Sequence, residues 1–222
     1  MRNVTRLNKP VSLKKNAARW TRDLLSKIEE CNHNNTEVPD AFYNHYNQSD
    51  VKKRLKEMYN GLCCYCESRT GVVEFGHIEH RKPKKKFPKD TYNWNNLHLG
   101  CTRCNTIKGQ KYDKINPILD AVKDNIPQNL TYEINQRGCW PKALTKRGET
   151  TIQHTELTDE NLRIEWTKVF NDAIGMIGEI NKKQSSDPGV SKTHSELKKM
   201  CSDLYGSVVD YAMQTYLSVG IR

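Results

Sequence analysis

Two Cys-x-x-Cys pairs, Cys63–Cys66 and Cys101–Cys104, enclose a run of carboxylate, imidazole and amide side chains. A Cys-x-x-Cys turn brings two thiolates to one side of a tight loop, and two such turns supply four ligands for a tetrahedral ion. Because four thiolates leave no open coordination position, we expect a structural Zn²⁺ ion that contributes to folding. Cys64 could replace Cys63, while Cys31, Cys139 and Cys201 have no partner at metal-ligand spacing.

The order of polar residues around these pairs indicates a reaction. Glu79 and His80 are adjacent, Asn96 precedes the second pair, and Asn105 and Lys108 follow it directly. This order resembles that of the HNH nucleases, which have the ββα-metal fold. Their pattern places an acidic residue or histidine before the catalytic histidine on a strand, an asparagine on the next strand, and a histidine or asparagine at the start of a helix.

The resemblance implies roles that phosphodiester hydrolysis explains. A histidine of near-neutral pKa can take a proton from water, and this role falls to His80. The matching position for the amide that orients its ring is Asn96. Glu79 and the side-chain oxygen of Asn105 are hard donors that suit a catalytic Mg²⁺ or Mn²⁺ ion, which polarises the phosphate. Lys108, one helical turn beyond Asn105, is expected to meet the phosphate.

Each of these side chains also has an ordinary structural interpretation. A surface ion pair with a basic neighbour would account for Glu79, and solvent exposure would account for His80. A turn or helix cap would account for Asn96 or Asn105. The joint order between two Cys-x-x-Cys pairs is what favours the catalytic interpretation over these alternatives.

A closer resemblance is carried by five stretches of the chain. They are RLNKPVSLKKNAARW (6–20), CCYCE (63–67), IEHRKPK (78–84), WNNLHLGC (94–101) and CNTIKG (104–109). Together they are similar to the PtuB-type HNH family, which includes effector nucleases of Septu and some retron antiphage systems. That resemblance implies a PtuA-like ABC-type ATPase subunit as the partner.

The chain departs from the general HNH pattern at several positions. Many HNH proteins carry aspartate or histidine where Glu79 stands, and histidine where Asn105 stands. The residues found here keep oxygen donors available, which favours a hard metal ion over zinc or nickel at the catalytic position. His77, on the strand face of Glu79, and His98 are second-tier candidates for contacting the metal or phosphate.

A basic run follows the proposed catalytic histidine directly. It consists of Arg81, Lys82, Lys84, Lys85 and Lys86, interrupted only by a proline. Such a run is often no more than a solvated face. Beside a phosphate-cleaving site, we expect it to bind backbone phosphates without sequence preference.

Apolar spacing predicts helices that would hold this centre in place. They cover residues 16–30, 49–58, 158–182 and 195–217, with a linker at 185–189 between the last two. A strand is expected at 71–78, and the Pro- and Gly-containing stretch 113–150 is expected to be irregular.

Composition favours a polyanionic partner. The 222 residues include 36 Lys and Arg against 26 Asp and Glu, which gives a net charge of +10. No run of 18 apolar residues and no apolar signal segment occurs, so the sequence predicts a cytoplasmic protein whose paired cysteines bind metal.

These observations predict an α+β protein. A small ββα-metal HNH core with a four-cysteine zinc knuckle would occupy residues 58–115, between a basic helical segment (1–57) and a loop with helices (116–222). The expected activity is metal-dependent endonuclease cleavage of nucleic acid, with DNA favoured and RNA left open. The alternative is a non-catalytic zinc-ribbon module that binds nucleic acid or protein.

Overall fold

The computed structural model describes residues 1–71, 76–182 and 188–217, the side chain of Pro188 excepted. Within these ranges the helices are α1 (Val11–His33), α2 (Ser49–Met58), α3 (Thr102–Lys108), α4 (Lys146–Thr155), α5 (Glu160–Lys182), α6 (Pro188–Cys201) and α7 (Gly206–Tyr216). The strands are β1 (His77–His80), β2 (Leu97–Gly100), β3 (Leu130–Asn135) and β4 (Gly138–Ala143). The expected α+β fold class is confirmed.

The small ββα unit at the centre is formed by β1, β2 and α3. Strands β1 and β2 pair antiparallel, with His77 opposite Gly100 and His80 opposite Leu97. Helix α3 follows β2 after one residue and packs against β1. Residues 81–96 connect the two strands and contain two short 3₁₀ turns. This topology brings the side chains of β1 beside those of α3.

The N-terminal region forms one wall around this unit. Residues before Pro10 lie outside any helix or strand, and α1 begins at Val11, earlier than the apolar spacing suggested. The φ value of proline is compatible with the start of a helix, but proline has no N–H group with which to extend a helix from the residues before it. Pro10 therefore marks this boundary. Ser12 on α1 donates backbone and side-chain hydrogen bonds to Asp50 on α2, at 2.9 and 2.7 Å.

The expectation of an irregular stretch at 113–150 was wrong over its second half. Strands β3 and β4 form an antiparallel hairpin, and α4 begins directly after it. Gly138 opens β4 with φ +115°, a conformation that residues with a Cβ rarely adopt. The hairpin packs on α5, where the rings of Tyr132 and Trp166 meet edge to face. Gly138 and Pro141 lie within β4, and these residue types disfavour a strand, so the sequence pattern concealed the hairpin.

The helix predicted over 195–217 is two helices, α6 and α7. The break occurs before Gly206, where Tyr205 takes the left-handed conformation with φ +52°. Both helices bury apolar residues at helical spacing, so the sequence pattern did not reveal the break between them. Of the predicted linker, Gly189 lies in the first turn of α6, and residues 185–187 lie outside the described residues.

The predicted strand at 71–78 overlaps β1 only at its last residues, and residues 72–75 lie outside the described part of the chain. Apolar side chains from the N-terminal helices, the central unit and the C-terminal helices join one contiguous core. Among the helices described, none has the length and apolar character that crossing a bilayer requires.

Candidate active site

The four predicted zinc ligands converge on one point. The sulfur atoms of Cys63, Cys66, Cys101 and Cys104 all lie within 4.8 Å of one another, and those of Cys66 and Cys101 are 3.7 Å apart. Ligands of a tetrahedral ion at a Zn–S distance of about 2.3 Å would be separated by about 3.8 Å. The four residues therefore fit one closed metal site.

Local hydrogen bonds fold both cysteine turns. In the first turn, the Cys63 amide donates to the Ser68 carbonyl at 2.9 Å, and the Glu67 amide donates to the Cys63 carbonyl at 3.0 Å. In the second turn, the amide of Cys104 donates to the sulfur of Cys101 at 3.4 Å, so that the cysteine caps α3. The Cys64 amide donates to the Leu99 carbonyl at 2.8 Å and joins the first turn to β2.

A buried carboxylate fastens the first cysteine turn to both ends of the described chain. Glu67 accepts the Met1 ammonium at 2.8 Å, Arg2 at 2.6 Å and the Ser207 amide at 3.2 Å. Burial alone would raise the pKa of Glu67. The two positive charges outweigh that effect and lower its pKa to about 2. The carboxylate is therefore ionised at neutral pH and holds α7 against the knuckle.

The ring of His80 is buried, neutral and fixed in orientation. Its Nε2 lies 2.9 Å from the carbonyl oxygen of Thr91. Because a carbonyl only accepts hydrogen bonds, Nε2 must carry the proton and Nδ1 must present a lone pair. Burial lowers the pKa of His80 to about 3 in spite of that hydrogen bond, and the positive charges of Lys84 and Lys108 lower it further, so the near-neutral pKa expected from the sequence was wrong for this buried ring. The ring of Tyr46 meets it edge to face, with centroids 4.5 Å apart.

The side chain of Asn96 makes contacts that differ from the expected one. Its amide oxygen accepts from the backbone of Lys82 at 2.8 Å, and its amide nitrogen donates to the carbonyls of Lys82 and Asp90 at 3.0 and 3.1 Å. None of these contacts is to the His80 ring. Asn96 instead ties together the loop that carries Thr91, the residue whose carbonyl holds that ring.

Glu79 and Lys108 form a buried ion pair. The Lys108 ammonium lies 2.6 Å from Glu79 Oε1 and donates to the His80 carbonyl at 2.7 Å. Tyr65 also donates to Glu79, at 3.2 Å. Burial raises the pKa of Glu79, and the charge of Lys108 opposes that rise. The Lys108 side chain is 1% exposed and its ammonium is already bound by two partners, so the structure does not favour the expected contact between Lys108 and a phosphate.

Asn105 approaches Glu79 across a glycine. A Cβ placed on Gly100 would lie 3.2 Å from the Cβ of Glu79 and 3.7 Å from that of Asn105. The missing side chain at Gly100 leaves room for the Cβ atoms of both residues beside this backbone position. Their oxygens form a donor set that suits a hard divalent ion.

These groups line a cleft of about 420 Å³. Its walls come from the loop before α2, from α2 itself, from β1, from the basic run and from α3. Residues from all of these elements reach it, namely Tyr46, Lys52, His77, Glu79, His80, Lys84, Asn105 and Lys108. The cleft therefore brings together every proposed catalytic residue except Asn96.

The basic run does not act as one surface. Arg81 donates to the Ile118 carbonyl at 3.0 Å and approaches Asp120, and Lys82 pairs with Asp90 at 2.9 Å. Lys84 lines the cleft. The remaining members, Lys85 and Lys86, are exposed.

The two second-tier histidines differ in environment. His77 is exposed in the cleft, with Nε2 3.2 Å from Thr102 Oγ1. His98 is buried outside the residues that line the cleft, with Nδ1 2.6 Å from the Tyr59 hydroxyl and Nε2 3.9 Å from Asp120. Burial holds the pKa of His98 well below its usual value, so this ring is a neutral part of the core.

No sequence motif indicated a role for Tyr46 or Thr91. Tyr46 lies between helices, more than 30 residues before His80, in a stretch without a recognisable motif. Thr91 acts through its backbone carbonyl, so its residue type carries no information about the contact.

Comparison with known proteins agrees with this geometry. Residues 63–111 match the family model described as HNH endonuclease. The chain is 37% identical over 158 residues to the Septu protein PtuB of Bacillus mycoides (strain KBAB4), which covers 57% of this chain and 53% of the relative. It is 36% identical over 103 residues to the Septu protein PtuB of Bacillus thuringiensis, which covers 46% of this chain and 38% of that relative.

These alignments span about half or less of the relatives' own length. The matched HNH segment contains both cysteine pairs, β1, β2 and α3, and hence the whole of the ββα unit. Residues 63–111 therefore match the HNH endonuclease family model in sequence and contain a ββα unit, on a chain similar to Septu proteins of the PtuB type.

Proposed function

We propose that the chain is a metal-dependent endonuclease that hydrolyses phosphodiester bonds of nucleic acid, with DNA as its first substrate to test. The observation that carries the proposal is the His80 ring, which is neutral, fixed in one tautomer and placed in a cleft beside Glu79 and Asn105.

His80 is the group that takes the proton of the attacking water. With Nε2–H bound to the Thr91 carbonyl, the acceptor is Nδ1. Thr91 and Tyr46 fix the plane of the ring, and Asn96 holds the loop that supplies Thr91. After proton transfer, the same carbonyl still accepts from Nε2, so the ring keeps its position through the step.

The metal ions we propose are Zn²⁺ at the four cysteines and Mg²⁺ or Mn²⁺ at Glu79 and Asn105. When bound, the hard ion would supply Lewis-acid polarisation of the phosphate and the leaving oxygen. The chain's own contribution is to bring Glu79 and Asn105 close to Gly100 in one cleft and to hold His80, the neighbour of Glu79 on β1, in the same cleft. The zinc knuckle keeps β2 and α3 in the orientation that this arrangement needs.

The biological role we propose follows from the similarity to PtuB, a protein whose name ties it to the Septu system. The chain would be the nuclease subunit of an antiphage complex in the cytoplasm, with an ABC-type ATPase as its partner. Co-purification of that ATPase with a tagged chain from the native host tests the partner directly. A chain that is fully active alone and retains no ATPase would refute the assembly but leave the nuclease intact.

The central experiment compares wild type with His80→Ala on supercoiled plasmid, single-stranded DNA and total RNA, each with Mg²⁺ or Mn²⁺. Loss of a positioned general base costs about 10²- to 10⁴-fold in rate, so cleavage should fall by at least that factor. The matched control is His33→Ala, which removes an exposed imidazole at the end of α1 and should cut normally.

Zinc content and melting temperature are measured for every variant. His80→Ala that cuts at the wild-type rate would refute the catalytic assignment. A wild-type protein that cuts none of the three substrates, alone or with its ATPase, would favour the zinc-ribbon alternative.

A further inference from the structure

Lys84 differs from the other basic residues near the cleft in how its charge is held. Its ammonium donates to Asn44 Oδ1 at 2.8 Å and to the Tyr46 hydroxyl at 3.1 Å, and it lies 5.0 Å from the centre of the Tyr46 ring. Both hydrogen-bond partners are neutral. Among the described residues, no carboxylate lies within ion-pair distance of Lys84, whereas Lys82 and Lys108 each have one.

An ammonium group fixed in this way can bind an anion without first breaking an ion pair. It has three N–H donors, of which two are used, so one is left to bind an incoming oxygen. Its side chain is half-buried and lines the cleft that contains His80. A partly desolvated cation without a carboxylate in direct contact gains more from pairing with a phosphate than an exposed lysine does. Lys85, the next residue, is exposed and lacks these contacts.

Tyr46 connects this cation to the proposed base. Its hydroxyl accepts from Lys84, and its ring packs edge to face on His80 with a centroid distance of 4.5 Å. One side chain therefore sets the position of both the ammonium and the imidazole.

We propose that Lys84 contacts a non-bridging oxygen of the scissile phosphate. Tyr46 is then the positioning residue that holds the Lys84 ammonium and the His80 ring in place relative to each other. This inference rests on the proposed nuclease function. The sequence assigned the phosphate contact to Lys108, but the ammonium of Lys108 is bound to Glu79 and to the His80 carbonyl, so we assign this contact to Lys84 instead.

The test measures kcat and KM on a labelled DNA duplex for Lys84→Met, Lys84→Arg, Tyr46→Phe and Lys85→Met. Removing one donor that stabilises transition-state charge lowers kcat by about 10²- to 10³-fold, and we expect this for Lys84→Met. Lys84→Arg keeps the charge and should recover at least tenfold of that loss. Tyr46→Phe keeps the ring on His80 but loses the hydroxyl, so kcat should fall while the protein remains folded.

Lys85→Met separates a specific contact from general attraction. An exposed lysine that binds backbone phosphate contributes to binding, so this variant should raise KM and leave kcat within threefold of wild type. Lys123→Met, an exposed lysine outside the cleft, should change neither constant. A purely structural role for Lys84 would lower the melting temperature and would not be rescued by charge.

Binding is measured separately, without cleavage, in the His80→Ala background. Adding Lys84→Met should weaken duplex binding and reduce the log–log salt slope by about 0.9, as expected for one lost phosphate contact. Active wild type together with a Lys84→Met variant of unchanged kcat would refute this inference and leave the proposed function standing. If Lys84→Met does not fold, Tyr46→Phe decides, since an unchanged kcat there would also refute it.

Discussion

Replacing Lys108 by methionine would measure how much the buried ion pair with Glu79 contributes to the stability of the folded chain. Methionine keeps the length and apolar stem of the side chain but removes the ammonium. The two charged groups are 1% and 3% exposed and 2.6 Å apart, so water cannot compensate for the loss. Breaking a buried pair from one side costs about 3–5 kcal/mol, because the remaining charge is left uncompensated.

A second contact adds to this cost. Lys108 also donates to the His80 carbonyl at 2.7 Å, and an orphaned buried acceptor costs about 1–3 kcal/mol. We therefore expect Lys108→Met to reduce the free energy of unfolding by about 4–8 kcal/mol. For a chain of this size, each kcal/mol lowers Tm by about 2–4 °C, which makes the change at least about 8 °C.

The double variant Glu79→Gln with Lys108→Met separates the two contributions. With both charges gone, only the contact to His80 is missing, and the loss should shrink to about 1–3 kcal/mol. Urea unfolding of the wild type, both single variants and the double variant gives the coupling energy. Additive losses, or a Lys108→Met loss below about 1 kcal/mol, would show that the pair is not formed as described.

Divalent ions provide an independent readout on the same variants. A cation that binds Glu79 replaces the missing ammonium, so Mn²⁺ should raise the Tm of Lys108→Met more than that of wild type. The double variant, which lacks the carboxylate, should show no such excess. Equal Mn²⁺ shifts in all four proteins would remove Glu79 from the proposed ligand set.

The remaining predictions concern the knuckle and the buried histidine. Cys104→Ser should lose bound zinc and cooperative unfolding, since a structural zinc site contributes on the order of 10 kcal/mol, while Cys201→Ser should retain one zinc per chain by elemental analysis. His98 is buried near Tyr59, Asp120, Arg6 and Arg81, and its burial lowers its pKa. Below about pH 6.5 the unfolded chain therefore binds a proton at this histidine, whereas the folded chain does not. Stability should then fall with acidification by up to about 1.4 kcal/mol per pH unit for this ring, and urea unfolding of His98→Gln should show a correspondingly smaller slope.

The cysteine spacing predicted the centre of the fold correctly because metal ligation imposes strict geometry. Four sulfurs in two Cys-x-x-Cys turns have few ways to meet, and they meet as expected. The position of Asn105 opposite Glu79 follows from the same constraint, since the second turn starts α3. Helices α1 and α2 were recognisable from apolar spacing, with Pro10 as an additional boundary.

Other features depend on contacts between distant parts of the chain. The hydrogen bond that orients His80 comes from a backbone carbonyl, which any residue could supply at position 91. The ring that packs on it, Tyr46, precedes it by more than 30 residues. Whether Lys84 or Lys108 faces the cleft freely depends on which one is near a buried carboxylate, and charge alone does not distinguish them.

The basic N-terminal stretch shows how the folded chain uses positive charge internally. The Arg6 guanidinium donates to the Leu97 carbonyl at 2.8 Å and lies 5.1 Å from the ring centre of Trp94, whose indole donates to the Leu7 carbonyl at 2.9 Å. These contacts brace the start of β2, the strand that leads to the second cysteine turn. Arg2 is likewise engaged by Glu67 beside the first turn. The stretch before Pro10 therefore secures the two turns that shape the cleft.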